Sequence, residues 1–345
     1  MRKYLLPKEG QFYKANMHTH TTVSDGQMTP AEIKKVYQDH GYSIVAFTDH
    51  DVFVPHHDLT DDKFLALAGV EVAVSEDIPD VEFASQKTYH LNFYARSADI
   101  TEFPLFSEKR VGQSIRGSIT PEMLKYDYRI SYGQEDINKA IRFADDCGFF
   151  ASYNHPVWSM QTYKDYGDLE NVWGVEVFNS GCFITGRDET IIPWEDLLRQ
   201  GKKPFPLATD DAHTLRDCCG GFLMVKAKEL TYPTVIQALE KGDFYATTGP
   251  RIYELWLEGT VLHISCSPAQ QVNLTAENRW THNHFAMPDL RTEINMDIST
   301  WFRIAKEAKE KLNRNSYFRI TVKDQAGKAA YTRAYFYDEL VGDEE

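Results

Sequence analysis

His18-Thr19-His20 closes the first apolar run of the chain. Alternate residues of a strand share a face, so both imidazoles can turn toward one cation. Taken alone the pair is a weak signal. His282 and His284 form a second such pair in a polar stretch, and no chemistry is assigned to it. Position gives the first pair its weight, because further imidazoles and carboxylates fall at or near the ends of other strand-like runs. Asp25, in Ser24-Asp25-Gly26, lies in the loop after the first run. Asp49-His50-Asp51 ends Ile44–Thr48, Glu71 follows Ala66–Val70, and His90 lies within Thr88–Tyr94. His155 follows Phe149–Tyr153, and Asp211-Ala212-His213 follows Phe205–Thr209. These histidines and carboxylates, with no cysteine among them, suit two or three divalent cations such as Zn²⁺, Mn²⁺ or Fe²⁺.

Each residue also has a plainer reading by itself. A lone His90 or His155 is an ordinary core or surface histidine. Glu71 after an apolar strand can cap a helix. Asp211 can support a ligand instead of being one, with Asp210 in its place. Only the common placement at strand ends argues for one centre. Two cations roughly 4 Å apart would turn a bridging water into hydroxide near neutral pH. That hydroxide would attack phosphorus, while the metals and a nearby cation stabilise the charge that develops. Arg251 and Arg116 are the candidates for that cation. Asp49 or His50 is the candidate leaving-group acid or supporting residue if it is not a ligand.

The elements that must carry these groups can be read from periodicity. Thr29-Pro30-Ala31-Glu32 forms a capping box with proline at the first helical position; Ile33, Val36, Tyr37 and His40 mark one face, and Gly41 ends the helix. Strands are expected at Ser43–Thr48, Phe64–Val70, Tyr89–Tyr94, Phe149–Asn154, Val172–Asn179, Phe205–Thr209 and Phe222–Val225. Helices are expected near Glu135–Cys147, Trp194–Gln200 and Pro233–Lys241. Such alternation predicts a parallel sheet, and this many units favours a closed barrel. About 99–133 breaks the rhythm and is too long for an ordinary connection, so it is a surface insertion or an active-site lid. After Gly249-Pro250, short strands at Leu255–Leu257, Val261–Ser265, Val272–Leu274, Phe318–Val322 and Ala334–Tyr337 are expected. With them go a hairpin turn at Asp324–Gly327 and a helix over Ser299–Leu312. The domains are therefore expected at 1–250 and 251–345, the second a small β-rich accessory unit.

Lys+Arg 37 against Asp+Glu 51 leaves a net charge of −14, which argues against a nonspecific binder of nucleic acid or anionic membranes. A small anionic substrate remains compatible, since bound cations invert the local field. Met1–Gly10 has only Leu5 and Leu6 as an apolar pair, so no signal peptide is read there, and no run approaches the roughly 20 apolar residues of a membrane span. The five scattered cysteines, with Cys218 and Cys219 adjacent, suit neither a disulfide framework nor a paired-cysteine zinc site, and a cytoplasmic location is expected.

In order, His18-Thr19-His20, Ser24-Asp25-Gly26, Thr48-Asp49-His50-Asp51, Gly69-Val70-Glu71, Tyr89-His90, Asn154-His155-Pro156 and Asp211-Ala212-His213 resemble the motifs of the PHP (polymerase and histidinol phosphatase) superfamily. Gly242–Pro250 resembles the closing motif of its two-domain metallohydrolases, the group that includes carbaryl-hydrolase-like proteins. The resemblance covers about 17–250. It implies an α/β fold, a distorted seven-stranded TIM-like β/α barrel with a small C-terminal sandwich-like domain, and a trinuclear site. Carried over residue by residue, it implies one metal on His18, His20, Glu71 and Asp211. Glu71 would bridge to a second metal shared with His90 and His155, and Asp25, His50 and His213 would hold the third. Two positions depart from the pattern: Asp210 stands where the family often has serine, and Asp25 where some relatives have histidine.

The function expected is that of a metal-dependent phosphoesterase cleaving a small phosphate ester with a metal-bridging hydroxide. The same site would serve an amide, ester or carbamate hydrolase. A non-catalytic binding protein stabilised by metal is a third class, which predicts unfolding on chelation without turnover. A proofreading nuclease fits poorly with the acidic balance.

Overall fold

The computed structural model describes residues 2–285 and 289–342. β1 (Arg2–Tyr4) precedes β2 (Gln11–Asn16), whose extension carries His18-Thr19-His20. α1 (Pro30–Asp39) opens on the Thr29–Glu32 capping box and is followed by β3 (Ile44–Phe47), β4 (Leu65–Ser75) and β5 (Thr88–Ala95). After the 99–133 segment come α2 (Gln134–Asp146), β6 (Phe149–Tyr153), α3 (Tyr163–Tyr166) and β7 (Val172–Asn179). α4 (Ser180–Ile184) and α5 (Ile192–Arg199) lead to β8 (Phe205–Thr209), then β9 (Phe222–Ala227), α6 (Tyr232–Lys241) and β10 (Phe244–Thr247). The remainder is β11 (Ile252–Glu258), β12 (Val261–Ala269), β13 (Gln271–Ala276), β14 (Thr281–Phe285) and β15 (Arg291–Asp297). α7 (Ser299–Leu312), β16 (Tyr317–Lys323), β17 (Ala329–Thr332), β18 (Tyr335–Phe336) and α8 (Tyr337–Val341) end it.

β2 through β8 lie side by side in chain order, but they do not close into the expected barrel. The edge that β8 would need is taken, because β9 pairs antiparallel with Gln11–Ala15 of β2. β8 meets the extension of β2 only at an isolated parallel bridge between Thr19 and Ala212. There His20 N donates to Ala212 O at 3.0 Å and Asp211 N donates to His18 O at 3.0 Å. The sheet is therefore mixed and open, curved enough for its β8 edge to reach the extension of β2 at the histidine motif. The expected all-parallel order fails at one strand. β5 runs antiparallel to both β4 and β6, as a hairpin partner of the long β4. Its beginning, not its end, therefore lies beside the carboxyl ends of its neighbours.

The C-terminal strands are not walled off from this sheet. β17 pairs with β10, so β13, β14, β16 and β17 continue the ladder, while β1, β11, β12 and β15 form a separate four-stranded sheet. One apolar cluster joins the two, with Leu255, Leu262 and Ile264 against Val272, Leu274, Ile320 and Trp301 of α7. β14 and β15 were not expected. β14 is the outer strand of its sheet and buries none of its residues, so its sequence carries no apolar alternation to read. His282 and His284 lie on it, away from the other histidines.

The 99–133 segment contains only short 3₁₀ turns at Gln113–Ser118 and Met123–Lys125 among its described elements. It is nevertheless docked. Val52, Phe106, Val111 and Ile115 form a cluster of their own, and Ser118 Oγ donates to Val23 O at 2.5 Å.

Candidate metal centre

Asn16 sets the histidine motif in place. Its side-chain amide donates to His18 O at 2.9 Å, and its Oδ1 accepts from Asp210 N at 3.0 Å, tying the ends of β2 and β8 together. His18 and His20 are fully buried. Their Nε2 atoms lie 3.2 Å apart. Asp211 Oδ1 stands 3.3 Å from the first and 3.1 Å from the second, and Glu71 Oε2 stands 3.3 Å from His20 Nε2. A tetrahedral ion with bonds of about 2.0–2.1 Å requires donors about 3.3 Å apart. The set has that spacing.

The other imidazoles surround the same two carboxylates. His90 Nδ1 is 3.0 Å and His155 Nε2 3.2 Å from Glu71 Oε1. His50 stands between groups, its Nδ1 3.1 Å from Glu71 Oε2 and its Nε2 3.8 Å from Asp25 Oδ2. Asp25 Oδ1 is 3.4 Å from His213 Nε2. Four overlapping groups result: His18, His20, Glu71 and Asp211; His50, Glu71 and His90; His20, Asp25, His50 and His213; and His18, His155 and Glu176. All nine residues expected as ligands fall within them.

The donor chemistry fits divalent cations. Glu71 Oε2, Asp211 Oδ1, His90 Nε2 and His20 Nδ1 are buried without a hydrogen-bond partner, an arrangement that is costly unless an ion completes it. The protonation pattern agrees. Burial works to raise the Glu71 and Asp211 carboxyls, yet the surrounding imidazoles, His18 foremost, hold both well below the usual carboxylate range. Burial works to lower His18, but Asp211, Glu71 and Glu176 carry it well above the ordinary imidazole value. His155 and His213 are likewise raised to about 9 against the pull of burial, chiefly by hydrogen bonds to Glu71 and Asp25 respectively. Protons here take the place of cationic charge that the carboxylates demand.

The neighbouring aspartates differ in their partners. Asp210 accepts from Cys219 N, Gly220 N, Gly221 N and Tyr37 OH at 2.7–2.9 Å, leaving no lone pair toward the centre. Asp211 turns away through a left-handed backbone (φ 50°) and aims at the histidines. Asp49 is similarly occupied. It accepts from Thr21 N, Ser24 N and Ser24 Oγ at 2.7–3.2 Å and shapes the loop that carries Asp25.

Glu176 was missed. It is the single charged residue in the otherwise apolar and amide-ended run Val172–Asn179, and that isolation was the available signal. Fully buried, it lies 2.8 Å from His18 Nδ1 and accepts from Thr209 Oγ1 at 2.6 Å, His155 N at 2.9 Å and Asn179 Nδ2 at 2.9 Å. A carboxylate only accepts, so Nδ1 of His18 carries a proton, and Nε2 is the atom turned toward the other donors, with its lone pair free for a cation once that nitrogen is deprotonated. Glu189 was missed as well. It accepts from Val157 N at 3.0 Å and Trp158 N at 2.9 Å, holding the turn after His155.

Asp25, His50, Glu71, His90, His155, Asp211 and His213 line a cavity of about 380 Å³ together with Asp51, Ala73, Phe83, Arg110, Gly112, Ser114, Ile115 and Trp158, while His18 and His20 lie behind it. Neither arginine expected to stabilise charge lines it. Arg251 stacks 5.2 Å from the Phe222 ring, and Arg116 pairs at 3.3 Å with Glu108 on the surface. The arginine at the cavity is Arg110, from the docked segment. Its Nε donates to Asp51 Oδ1 at 3.1 Å, and its terminal nitrogens donate to Tyr128 O and Leu105 O.

No protein-family model matches the chain, and no curated protein does. Among solved structures, a two-domain protein of Bacteroides vulgatus named for a PHP-like metal-dependent phosphoesterase aligns over 96% of this chain and 98% of its own, at 15% identity and a TM-score of 0.45. A chain of Bifidobacterium adolescentis named as a metal-dependent phosphoesterase aligns over 68% of this chain and 96% of its own, at 14% identity and a TM-score of 0.37. A lesion-specific endonuclease of Pyrococcus furiosus aligns over 67% of this chain and 56% of its own, at 16% identity and a TM-score of 0.39.

Proposed function

We propose that this chain is a metal-dependent phosphoesterase acting on a small phosphate ester. The observation that carries the reading is the cluster of ligating atoms 3.1–3.3 Å apart, including buried carboxylate oxygens without partners, on the wall of a cavity. Two or three divalent cations held by His18, His20, Glu71 and Asp211, by Glu71 with His90 and His155, and by Asp25, His50 and His213 would supply Lewis acidity and an activated water.

The chain's own groups do the rest. Glu176 fixes the proton of His18 on Nδ1, and Glu189 holds the turn that presents His155. Arg110 offers a guanidinium at the cavity. Asp25 and His213 are the half-open members of the set, with side chains 46% and 32% exposed, so proton exchange with solvent passes on their side. We read 1–250 as the catalytic part, since every donor lies there, and 251–345 as the accessory part. No described helix is long and apolar enough to cross a membrane.

One feature favours a second reading on the same donors, hydrolysis of an amide, ester or carbamate. Arg110 is already paired with Asp51, so among the described residues the cavity wall holds no unpaired arginine or lysine for a dianionic head group. The test is elemental analysis of the purified protein beside His20→Ala, followed by assay of the Mn²⁺- or Zn²⁺-loaded protein on phosphate esters and on carbamates. Two or more metal equivalents, fewer in the variant, with phosphate ester turnover abolished by chelation, is the expected result. Equal metal in both proteins overturns the site; turnover of carbamates alone replaces the first reading with the second.

A further inference from the structure

The cavity has two unlike sides, and the second has had no role so far. The same cavity is also lined by Phe83, from the β4–β5 connection, Ile115, from the docked segment, and Trp158, from the loop after β6. Large aromatic side chains normally belong to a core. Phe83 and Trp158 belong to none of the apolar clusters among the described residues, and Phe83 is 54% exposed. Trp158 has its ring 5.5 Å from His90 and 5.1 Å from His155, so this apolar side begins where the donors end.

The polar content of that side is small. Apart from the donors, the side chains able to hydrogen-bond there among the described residues are Ser114, the indole N–H of Trp158 and the ion pair of Arg110 with Asp51, whose charges meet each other at 3.1 Å. A nucleobase, a sugar or a peptide presents several donors and acceptors, each of which loses water on entry and needs a partner. A hydrocarbon ring needs none. Three apolar side chains from three separate segments, brought around one space of about 380 Å³, match a single ring and leave room for a compact head group at the donors.

We infer that the substrate is an ester of a ring-bearing, otherwise apolar alcohol or phenol, with the ring held by Phe83, Ile115 and Trp158 and the reacting group at the metal donors. The head group rests on the reading proposed above; the ring site does not.

The experiment separates the two. Calorimetry on the Mn²⁺-loaded full chain compares benzylphosphonate, methylphosphonate and thymidine monophosphate. Burial of one ring predicts benzylphosphonate binding at least about tenfold tighter than methylphosphonate, with the nucleotide no tighter than methylphosphonate. In Phe83→Ala and in Ile115→Ala that ratio falls toward one. Saturation-transfer NMR with benzyl alcohol reads the ring site without any head group, in wild type against Phe83→Ala. If no phosphonate binds but benzyl alcohol does, in a Phe83-dependent way, the phosphoester reading fails and the ring site stands. A ratio near one in the wild type, a nucleotide preferred over benzylphosphonate, or a benzyl alcohol signal that is absent or unchanged in Phe83→Ala overturns the inference.

Discussion

Replacing Glu176 by glutamine changes one atom in a place where every hydrogen bond points inward. The carboxylate meets His18 Nδ1 and Thr209 Oγ1 on one oxygen, and His155 N and Asn179 Nδ2 on the other. An amide can accept on one side only. If its NH₂ faces His155 N and Asn179, donors oppose donors, and a buried charge-assisted pair of bonds is lost at about 1.5–3 kcal/mol each. If the NH₂ instead faces His18, the imidazole must accept there, and its proton moves to Nε2, toward Asp211 and Glu71. Either way a ligand is turned or blocked. Loss of a carboxylate behind a ligating histidine costs about 10–100-fold in metal affinity, or about 1.4–2.7 kcal/mol. The assay is competition of a chelator with the loaded protein. Circular dichroism confirms the fold, and ¹⁵N NMR of labelled histidine reads which ring nitrogen of His18 carries the proton. Glu176→Asp keeps the acceptor chemistry and should recover part of the affinity. Unchanged affinity in folded Glu176→Gln, with the His18 proton still on Nδ1, refutes the reasoning.

Gly26→Ala should displace Asp25, because a Cβ there would lie 2.5 Å from the His20 carbonyl oxygen and 2.7 Å from Thr21 N, both backbone atoms that cannot step aside; elemental analysis should show loss at the Asp25–His50–His213 group first. Arg110→Ala leaves Asp51 buried without its partner, a loss of about 3 kcal/mol for a broken buried pair; a lower melting temperature and faster proteolysis within 99–133 are the readouts. Asp165 accepts from Thr162 N and Lys87 Nζ, both at 2.8 Å. Burial opposes but these partners outweigh it, so its carboxyl titrates below the ordinary range. Its stabilisation is therefore complete at neutral pH and disappears as pH falls through the folded value. Asp165→Asn should be less stable than wild type in urea at pH 7, with the gap closing in acid.

The elements were legible wherever burial imposed a period. Val172–Asn179, Phe205–Thr209 and Ser299–Leu312 appear with the bounds their apolar patterns implied, since each must face a core on one side or both. Pairing was less so. Nothing in Thr88–Ala95 says that the strand runs backward; a fully buried strand reads the same in either direction, and the β4–β5 connection is long enough to suit both. For the same reason closure of the sheet could not be judged. That Gln11–Ala15 gives its free edge to β9 depends on a contact between segments more than 200 residues apart.

The site was more legible than the fold around it, and the physical reason is charge. A buried imidazole or carboxylate needs an opposite partner, and most of the candidate ligands stand at or near the ends of apolar runs, where solvent or an ion can begin, although Glu71 proves to lie within β4 and Glu176 within β7. That logic finds His155, just past β6, whether or not the barrel closes. It even survives the reversal of β5, since His90 lies at the start of that strand and the start is the end that reaches the donors. It fails for groups whose partners are themselves protein. Glu176 answers to His18 and Asp210 to four protein donors; neither offers a free lone pair, and only coordinates show which carboxylate is already satisfied. The useful distinction within the cluster is thus between acids whose hydrogen bonds are complete and those, Glu71 and Asp211, whose are not. Metal affinity should follow the second class directly and the first only through the ligands they hold.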